Sequence, residues 1–172
     1  MDAVDAQEFV SIPADYLVDR NKQCFFSPLK NSEIACYMSH LKALKQFLSN
    51  PDVAYAVILE DDVEFIKQPN AVIESIINQM DSSGVVKLYN KRNELCFGRE
   101  QLQDEFSRVA PVRVPLGFQA QLWSRAAAHE FIEQCKKFYR PVDVDMQYKW
   151  QFYFSLTLVQ PNLVRELSAE VG

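Results

Sequence analysis

Three consecutive carboxylates, Glu60, Asp61 and Asp62, directly follow an apolar run from Tyr55 to Leu59. The run is short and does not alternate apolar with polar residues, which is typical of a strand buried on both faces of a mostly parallel sheet. Carboxylates at the end of such a strand are costly unless hydrogen bonds or a cation compensate their charge. In open α/β sheets, ligands also bind at the carboxyl ends of the strands. The pattern therefore favours a ligand site over its alternative, a solvated acidic turn.

The acidic triplet offers oxygen ligands alone, which hard cations such as Mg²⁺ and Mn²⁺ prefer. Such an ion commonly shares its coordination shell with the phosphates of a substrate. The triplet therefore predicts a divalent-cation site that a phosphorylated ligand completes.

Length and composition narrow the class of protein. A chain of 172 residues has the length of one domain, 1–172, and its net charge of −5 disfavours nucleic-acid partners. We find no secretory leader and no apolar run near the roughly 20 residues of a membrane-spanning helix. The expectation is a cytoplasmic protein whose membrane contact, if any, is peripheral. Four scattered cysteines fit reduced thiols: Cys24, Cys36, Cys96 and Cys135.

Strand and helix patterns alternate along the chain, which predicts an α/β fold. With only 4 glycines and neither GxGxxG nor GxxxxGK[ST], the chain is no Rossmann dehydrogenase or P-loop protein. We leave 90–108 unassigned as a candidate active-site loop. Helices are predicted from a cap at Asn31 or Ser32 to about Ser49, from a first turn that contains Pro69 to about Met80, and over 125–138 and 143–148. Strands are predicted over 55–59, 85–89, 112–115, 118–123, 152–159 and 162–165.

The first of these helices carries polar residues on its apolar stripe. Glu33, Tyr37, His40 and Leu44 recur at spacings of three and four, so His40 lies at the border of the buried face. His40 is either a ligand-binding residue or a satisfied core histidine. Ser39 has no GxSxG context, which argues against a serine hydrolase.

Two segments together resemble a known family. EIACYMSHLKAL at 33–44, followed by LEDDV at 59–63, resembles glycosyltransferase family 25, the bacterial lipopolysaccharide and lipooligosaccharide glycosyltransferases. DAVDA at 2–6, LWSRAA at 122–127 and Pro141-Val142-Asp143 also resemble segments of that family, and 85–89 takes the place of the strand after its acidic motif.

The resemblance implies a GT-A-like, Rossmann-like fold with a mostly parallel sheet flanked by helices. It also implies transfer of a sugar, galactose or glucose, from a nucleotide-sugar donor such as a UDP-sugar to a lipooligosaccharide acceptor. By this implication Glu60 and Asp62 hold Mn²⁺ or Mg²⁺ against the donor diphosphate, as the first and third positions of a DxD-like motif. Asp143 becomes a candidate general base, its alternative role being a helix N-cap.

Further binding residues follow from the same resemblance. Tyr37, Ser39, His40 and Asp61 are expected at the donor or acceptor site. Tyr37 and His40 should lie near the cleft rather than wholly buried, with His40 donating a hydrogen bond to a phosphate or sugar oxygen.

Two departures from the family pattern shape the expectations. Family members begin with a strand and a helix that precede the segment like DAVDA, so we expect an exposed strand edge. Such an edge predicts either a homo-oligomer or weak donor binding. The second departure places Gln121 and Trp123 before the Ser-Arg segment, which predicts an altered donor or acceptor preference.

Other readings of the chain stay open. It is alternatively a truncated or degenerate transferase acting as a non-catalytic binding module, or, less well supported, a Mg²⁺-dependent phosphohydrolase. The cationic residues after the second strand either attract a phosphorylated acceptor or are merely solvated: Lys87, Lys91, Arg92 and Arg99.

Overall fold

The computed structural model describes residues 3–9, 11–91 and 94–167, without the side chain of residue 8. Its helices are α1 (Val18–Cys24), α2 (Asn31–Ser49), α3 (Asn70–Gln79), α4 (Arg125–Cys135) and α5 (Val142–Gln147). Its strands are β1 (Tyr55–Leu59), β2 (Val63–Phe65), β3 (Gly84–Lys87), β4 (Cys96–Gln101), β5 (Ser107–Pro111), β6 (Ala120–Ser124), β7 (Ser155–Gln160) and β8 (Val164–Glu166). Short 3-10 helices lie at Ala6–Glu8 and Lys149–Gln151. The α/β class is confirmed.

Helix α2 ends where the sequence predicts but begins at Asn31, so Lys30 is its N-cap rather than Asn31 or Ser32. Its first turn is stabilised by the Glu33 carboxylate, which accepts a hydrogen bond from the backbone N–H of Lys30 at 2.7 Å. The apolar positions spaced by three and four are buried, among them Ile34, Leu41 and Leu44. This long amphipathic helix therefore supplies one wall of the core.

The main sheet has the strand order β1-β6-β3-β7-β5-β4. Among its pairings in the described chain, only β3 with β7 is parallel. The expectation of a mostly parallel sheet is thus corrected: β6 runs antiparallel to both β1 and β3, and β5 is antiparallel to β4 and β7. A continuous apolar run reports burial on both faces, and it carries no information on strand direction.

Helices cover both faces of this sheet. Residues on one face, such as Val85 and Trp123, pack with α2 and α4, whereas Val86 and Leu122 pack with α3 on the other face. Successive side chains in a strand point to opposite faces, so β3 and β6 are buried along their whole length, although β6 also buries Gln121 and Ser124. The predicted N-cap of α4 is confirmed, since Ser124 Oγ accepts the Ala127 N–H at 3.3 Å.

The segment left unassigned contains a hairpin. Strand β4 pairs with β5 in antiparallel register, with an irregularity between Phe97 and Glu100. The strand predicted over 112–115 is wrong, because β5 ends at Pro111 and a loop leads to β6. Most of β4 is exposed and polar, so no apolar pattern revealed it.

Strand β1 lies at one end of the sheet order and, within the described residues, pairs only with β6. Its residues are half-buried up to Ile58 and exposed at Leu59. Strand β1 is therefore an edge strand of the main sheet, as β4 is at the other end, and self-association through an exposed edge stays a prediction.

Asp145 on α5 forms a buried ion pair with Arg140 and a hydrogen bond with Tyr37 on α2. Arg140 Nε donates to Asp145 Oδ1 at 2.6 Å, and the Tyr37 hydroxyl donates to Asp145 Oδ2 at 2.6 Å. Arg140 and Asp145 are 4% and 6% exposed. The Tyr37 ring stacks on Phe138 with 3.9 Å between centroids. Removing either partner of an ion pair buried this deeply is destabilising, because the other charge stays buried without a counter-charge.

We expect Asp145→Asn to lower the free energy of unfolding by about 3 kcal/mol, because Arg140 would keep a buried, unpaired charge. Urea unfolding followed by circular dichroism measures this. The matched control is Asp143→Asn on the same helix, where the half-buried side chain should cost less than about 1 kcal/mol. Equal losses in both variants would contradict the role given to the ion pair.

Candidate functional site

The acidic triplet begins where β1 leaves the sheet. The backbone N–H of Glu60 donates to the carbonyl of Gln119 at 2.8 Å, continuing the β1–β6 ladder one residue beyond the strand. Glu60 is therefore held in register with the sheet, and its side chain is 28% exposed. Asp61 and Asp62 form the turn into β2 and are exposed.

A second, distant segment adds a carboxylate to this turn. Strand β8 pairs with β2 so that Glu166 lies opposite Val63, and the N–H of Leu167 donates to the carbonyl of Asp62 at 2.7 Å. Sequence reasoning missed Glu166, since its 104-residue separation from Asp62 leaves no local signal. We call Glu60, Asp61, Asp62 and Glu166 the acidic cluster.

Negative charge accumulates within the acidic cluster. Partial burial, together with Glu60, Glu166 and Asp61, raises the pKa of Asp62. Lys91 approaches Glu166 at 3.8 Å from an exposed position, and Gln119 Nε2 donates to Glu166 Oε1 at 3.0 Å. Carboxylate oxygens are the ligand type that Mg²⁺ and Mn²⁺ take, but among the described residues only Cys36, His40 and Glu60 bring three possible metal-binding atoms within 4.8 Å of one another.

The larger cleft, of about 700 Å³, lies beside the acidic triplet. Its walls are α2, the end of β1 and residues 3–6. Ser39 lines it and accepts the N–H of Val4 at 2.8 Å. His40 also lines it, although only 5% exposed, with Nε2 lying 3.2 Å from Glu60 Oε1 and the ring edge-on to Phe118 at 4.6 Å. The structure thus brings Ser39, His40 and the acidic triplet to one cleft.

A smaller cleft, of about 290 Å³, lies on the other side of Glu60 and contains Asp143. Asp143 Oδ2 accepts the N–H of Gly117 at 2.9 Å. Gly117 has φ +91°, a backbone conformation in which any other residue would be strained. Asp143 sits in the first turn of α5, yet its carboxylate bonds to another loop rather than capping its own helix.

Cys36 lies between the two clefts and lines both. Its Sγ is 3.8 Å from Glu60 Oε1. Burial, with Glu60 and Asp143 nearby, raises the pKa of the Cys36 thiol to about 12. Cys36 is therefore a neutral thiol at physiological pH.

Lys87 has a different place from the one the sequence suggests. It is 1% exposed, and its ammonium donates to the carbonyls of Pro115 and Gly117, both at 2.6 Å. Burial lowers the pKa of Lys87 to about 8. Its charge thus holds the loop at 115–117, and the idea that Lys87 attracts a phosphorylated acceptor is wrong.

The location expected for Tyr37 is also corrected. Its side chain is 0% exposed and lines neither cleft, because its hydroxyl bonds to Asp145 within the core. Gln121 and Trp123 are likewise 0% exposed and stand away from both clefts. The spacing of residues along a helix predicts which of them share a face, whereas the burial of each residue depends on what packs against that face.

A mixed α/β fold with a carboxylate cluster at a strand end between two clefts is compatible with a Rossmann-like glycosyltransferase. The model of glycosyltransferase family 25 (LPS biosynthesis protein) matches residues 1–146, most of the chain. The chain therefore belongs to glycosyltransferase family 25. No curated protein matches it. In the part of the chain that the structure describes, no helix is long and apolar enough to cross a membrane.

We expect wild type to gain stability relative to Lys87→Met as the pH rises from 8 to 10. The folded state holds the Lys87 proton less tightly than the unfolded state, whose pKa is near 10.5, so unfolded chains bind more protons in this window. The difference should grow by about 2 kcal/mol. Urea midpoints of both proteins across this range measure it, and parallel pH profiles would contradict the burial of the ammonium.

Proposed function

We propose that this chain transfers a hexose, galactose or glucose, from a UDP-sugar to a lipooligosaccharide acceptor with the help of Mn²⁺ or Mg²⁺. The observation that carries the proposal is the position of Glu60, which lines both clefts. A donor in one cleft and an acceptor in the other would meet beside this residue.

The donor belongs in the larger cleft, with its diphosphate towards the acidic cluster. Glu60 and Asp62 would hold the cation, and Glu166 is near enough to Asp62 to contribute. A bound Mn²⁺ or Mg²⁺ neutralises the charge that develops on the leaving diphosphate. Ser39, His40 and Asp61 line the same cleft and would contact the donor.

The acceptor belongs in the smaller cleft, where Asp143 would take the proton of the attacking hydroxyl. The hydrogen bond from Gly117 fixes the orientation of that carboxylate, and Lys87 holds the Gly117 loop from beneath. A general base must lie within hydrogen-bonding distance of the proton that it takes, so the contacts that position Asp143 contribute to the proposed function. Because the proposed acceptor is a glycolipid, the chain would act at the cytoplasmic face of the inner membrane.

We expect Mn²⁺ to bind weakly alone and at least tenfold more tightly with UDP, because the diphosphate completes its shell. Titration of Mn²⁺ with and without UDP measures this. Asp62→Asn should abolish the enhancement, whereas Asp81→Asn, at an exposed aspartate on another loop, should retain it. Identical curves for wild type and Asp62→Asn would remove Asp62 from the cation site.

We expect Asp143→Asn to lower kcat about 10²-fold or more while leaving the donor KM nearly unchanged, because it removes a base but no donor contact. Turnover of several UDP-sugars with Mn²⁺, to water or to added lipooligosaccharide, measures this. Glu33→Gln, at another carboxylate lining the smaller cleft, is the matched control and should keep most activity.

The same assays separate the enzyme from a non-catalytic module. Donor binding without turnover in wild type would favour the degenerate transferase. Equal losses in Asp143→Asn and Glu33→Gln would instead show that negative charge in the cleft, rather than a base, is needed.

A further inference from the structure

Three chemically different donor atoms converge where the two clefts meet. Cys36 Sγ, His40 Nε2 and Glu60 Oε1 all lie within 4.8 Å of one another. Glu60 Oε1 is 3.2 Å from the imidazole nitrogen and 3.8 Å from the sulfur. Within the described residues this is the one such group that mixes sulfur, nitrogen and oxygen.

Two of these spacings are close to edges of a zinc tetrahedron. With Zn–N and Zn–O near 2.0 Å and Zn–S near 2.3 Å, tetrahedral angles place nitrogen and oxygen about 3.3 Å apart and sulfur and oxygen about 3.5 Å apart. The two observed distances differ from these by a few tenths of an ångström. Sulfur and nitrogen, which lie within 4.8 Å of each other, would also have to be about 3.5 Å apart, so seating the ion requires side-chain adjustments of up to about 1 Å.

The backbone holds all three residues in place. Cys36 and His40 are four residues apart on α2, so they lie on the same face of one long helix. Glu60 is fixed by its backbone bond to Gln119, and Phe118 packs edge-on against the His40 ring. The donor set is thus largely preformed, which lowers the entropic cost of binding.

The donor chemistry separates this group from the acidic cluster. Thiolate and imidazole ligands suit Zn²⁺, whereas Mg²⁺ takes oxygen ligands. All three residues line the larger cleft, so the fourth position of a tetrahedral ion would open towards it.

We propose that Cys36, His40 and Glu60 form a Zn²⁺ site whose open position faces the larger cleft. On binding, the Cys36 thiol gives its proton to solvent, and sulfur, imidazole nitrogen and carboxylate oxygen coordinate the ion. Glu60 is shared with the acidic cluster, so Zn²⁺ excludes Mn²⁺ from Glu60. That exclusion rests on the proposed function, while Zn²⁺ binding itself does not.

Co²⁺ added to the purified full chain, without sugar nucleotide, tests the site directly. We expect thiolate-to-cobalt charge-transfer absorption in the near ultraviolet, together with visible bands of four-coordinate cobalt, and displacement of both by Zn²⁺. Cys36→Ser should abolish the charge-transfer band, and Cys24→Ser, at an exposed cysteine on α1, should retain it. Calorimetry should show His40→Gln weakening Zn²⁺ binding on the order of 100-fold.

Asp62→Asn distinguishes the two metal sites, because it should leave the cobalt spectrum intact while losing the UDP-dependent Mn²⁺ binding. A wild-type protein without the charge-transfer band, a band that survives Cys36→Ser, or a band lost in Asp62→Asn would each overturn the zinc site. Circular dichroism verifies that the variants are folded, and His40→Gln provides an independent test should Cys36→Ser unfold.

Competition between the metals has its own readout. Zn²⁺ should lower Mn²⁺-supported donor turnover in wild type and have at least tenfold less effect in Cys36→Ser. Equal inhibition of both proteins would overturn the competition. The cobalt measurement uses no sugar donor, so its result does not depend on whether the chain transfers a sugar.

Discussion

The Glu60 carboxylate is the point on which the candidate site depends. Its backbone continues the ladder between β1 and β6, so its position is set by the sheet rather than by a loop. From there the side chain meets His40 and Cys36 on one side, and it raises the pKa of Asp62 on the other. A charge placed at the border of the core needs partners, and those partners belong to both of the metal sites that we propose.

The smaller cleft depends on a second buried charge. The Lys87 ammonium donates to carbonyl oxygens rather than to a carboxylate, and Asp143, Glu94 and Glu60 act on its charge from a distance. That arrangement ties β3 to the loop that carries Gly117, and Gly117 in turn orients Asp143. A buried lysine thereby supports the carboxylate that we propose as the base.

Prediction from the sequence succeeded where the signal was local. The apolar periodicity of α2, the boundaries of β1 and the cap at Ser124 all depend on residues a few positions apart. It failed where a partner strand decides the outcome. The β4–β5 hairpin is polar and exposed, and the direction of β6 relative to its neighbours has no local code.

The sequence by itself determined the α/β class, the family and the acidic triplet at the end of β1, because each is written in contiguous residues. Only the tertiary structure decided that Glu166 joins the triplet, that Cys36 and His40 face Glu60, and that Tyr37 and Lys87 are buried. The physical reason is that these relations arise from packing between segments distant in the chain. The burial of a side chain and its contacts with distant residues arise only in the assembled core, so the spacing of neighbouring residues cannot predict them.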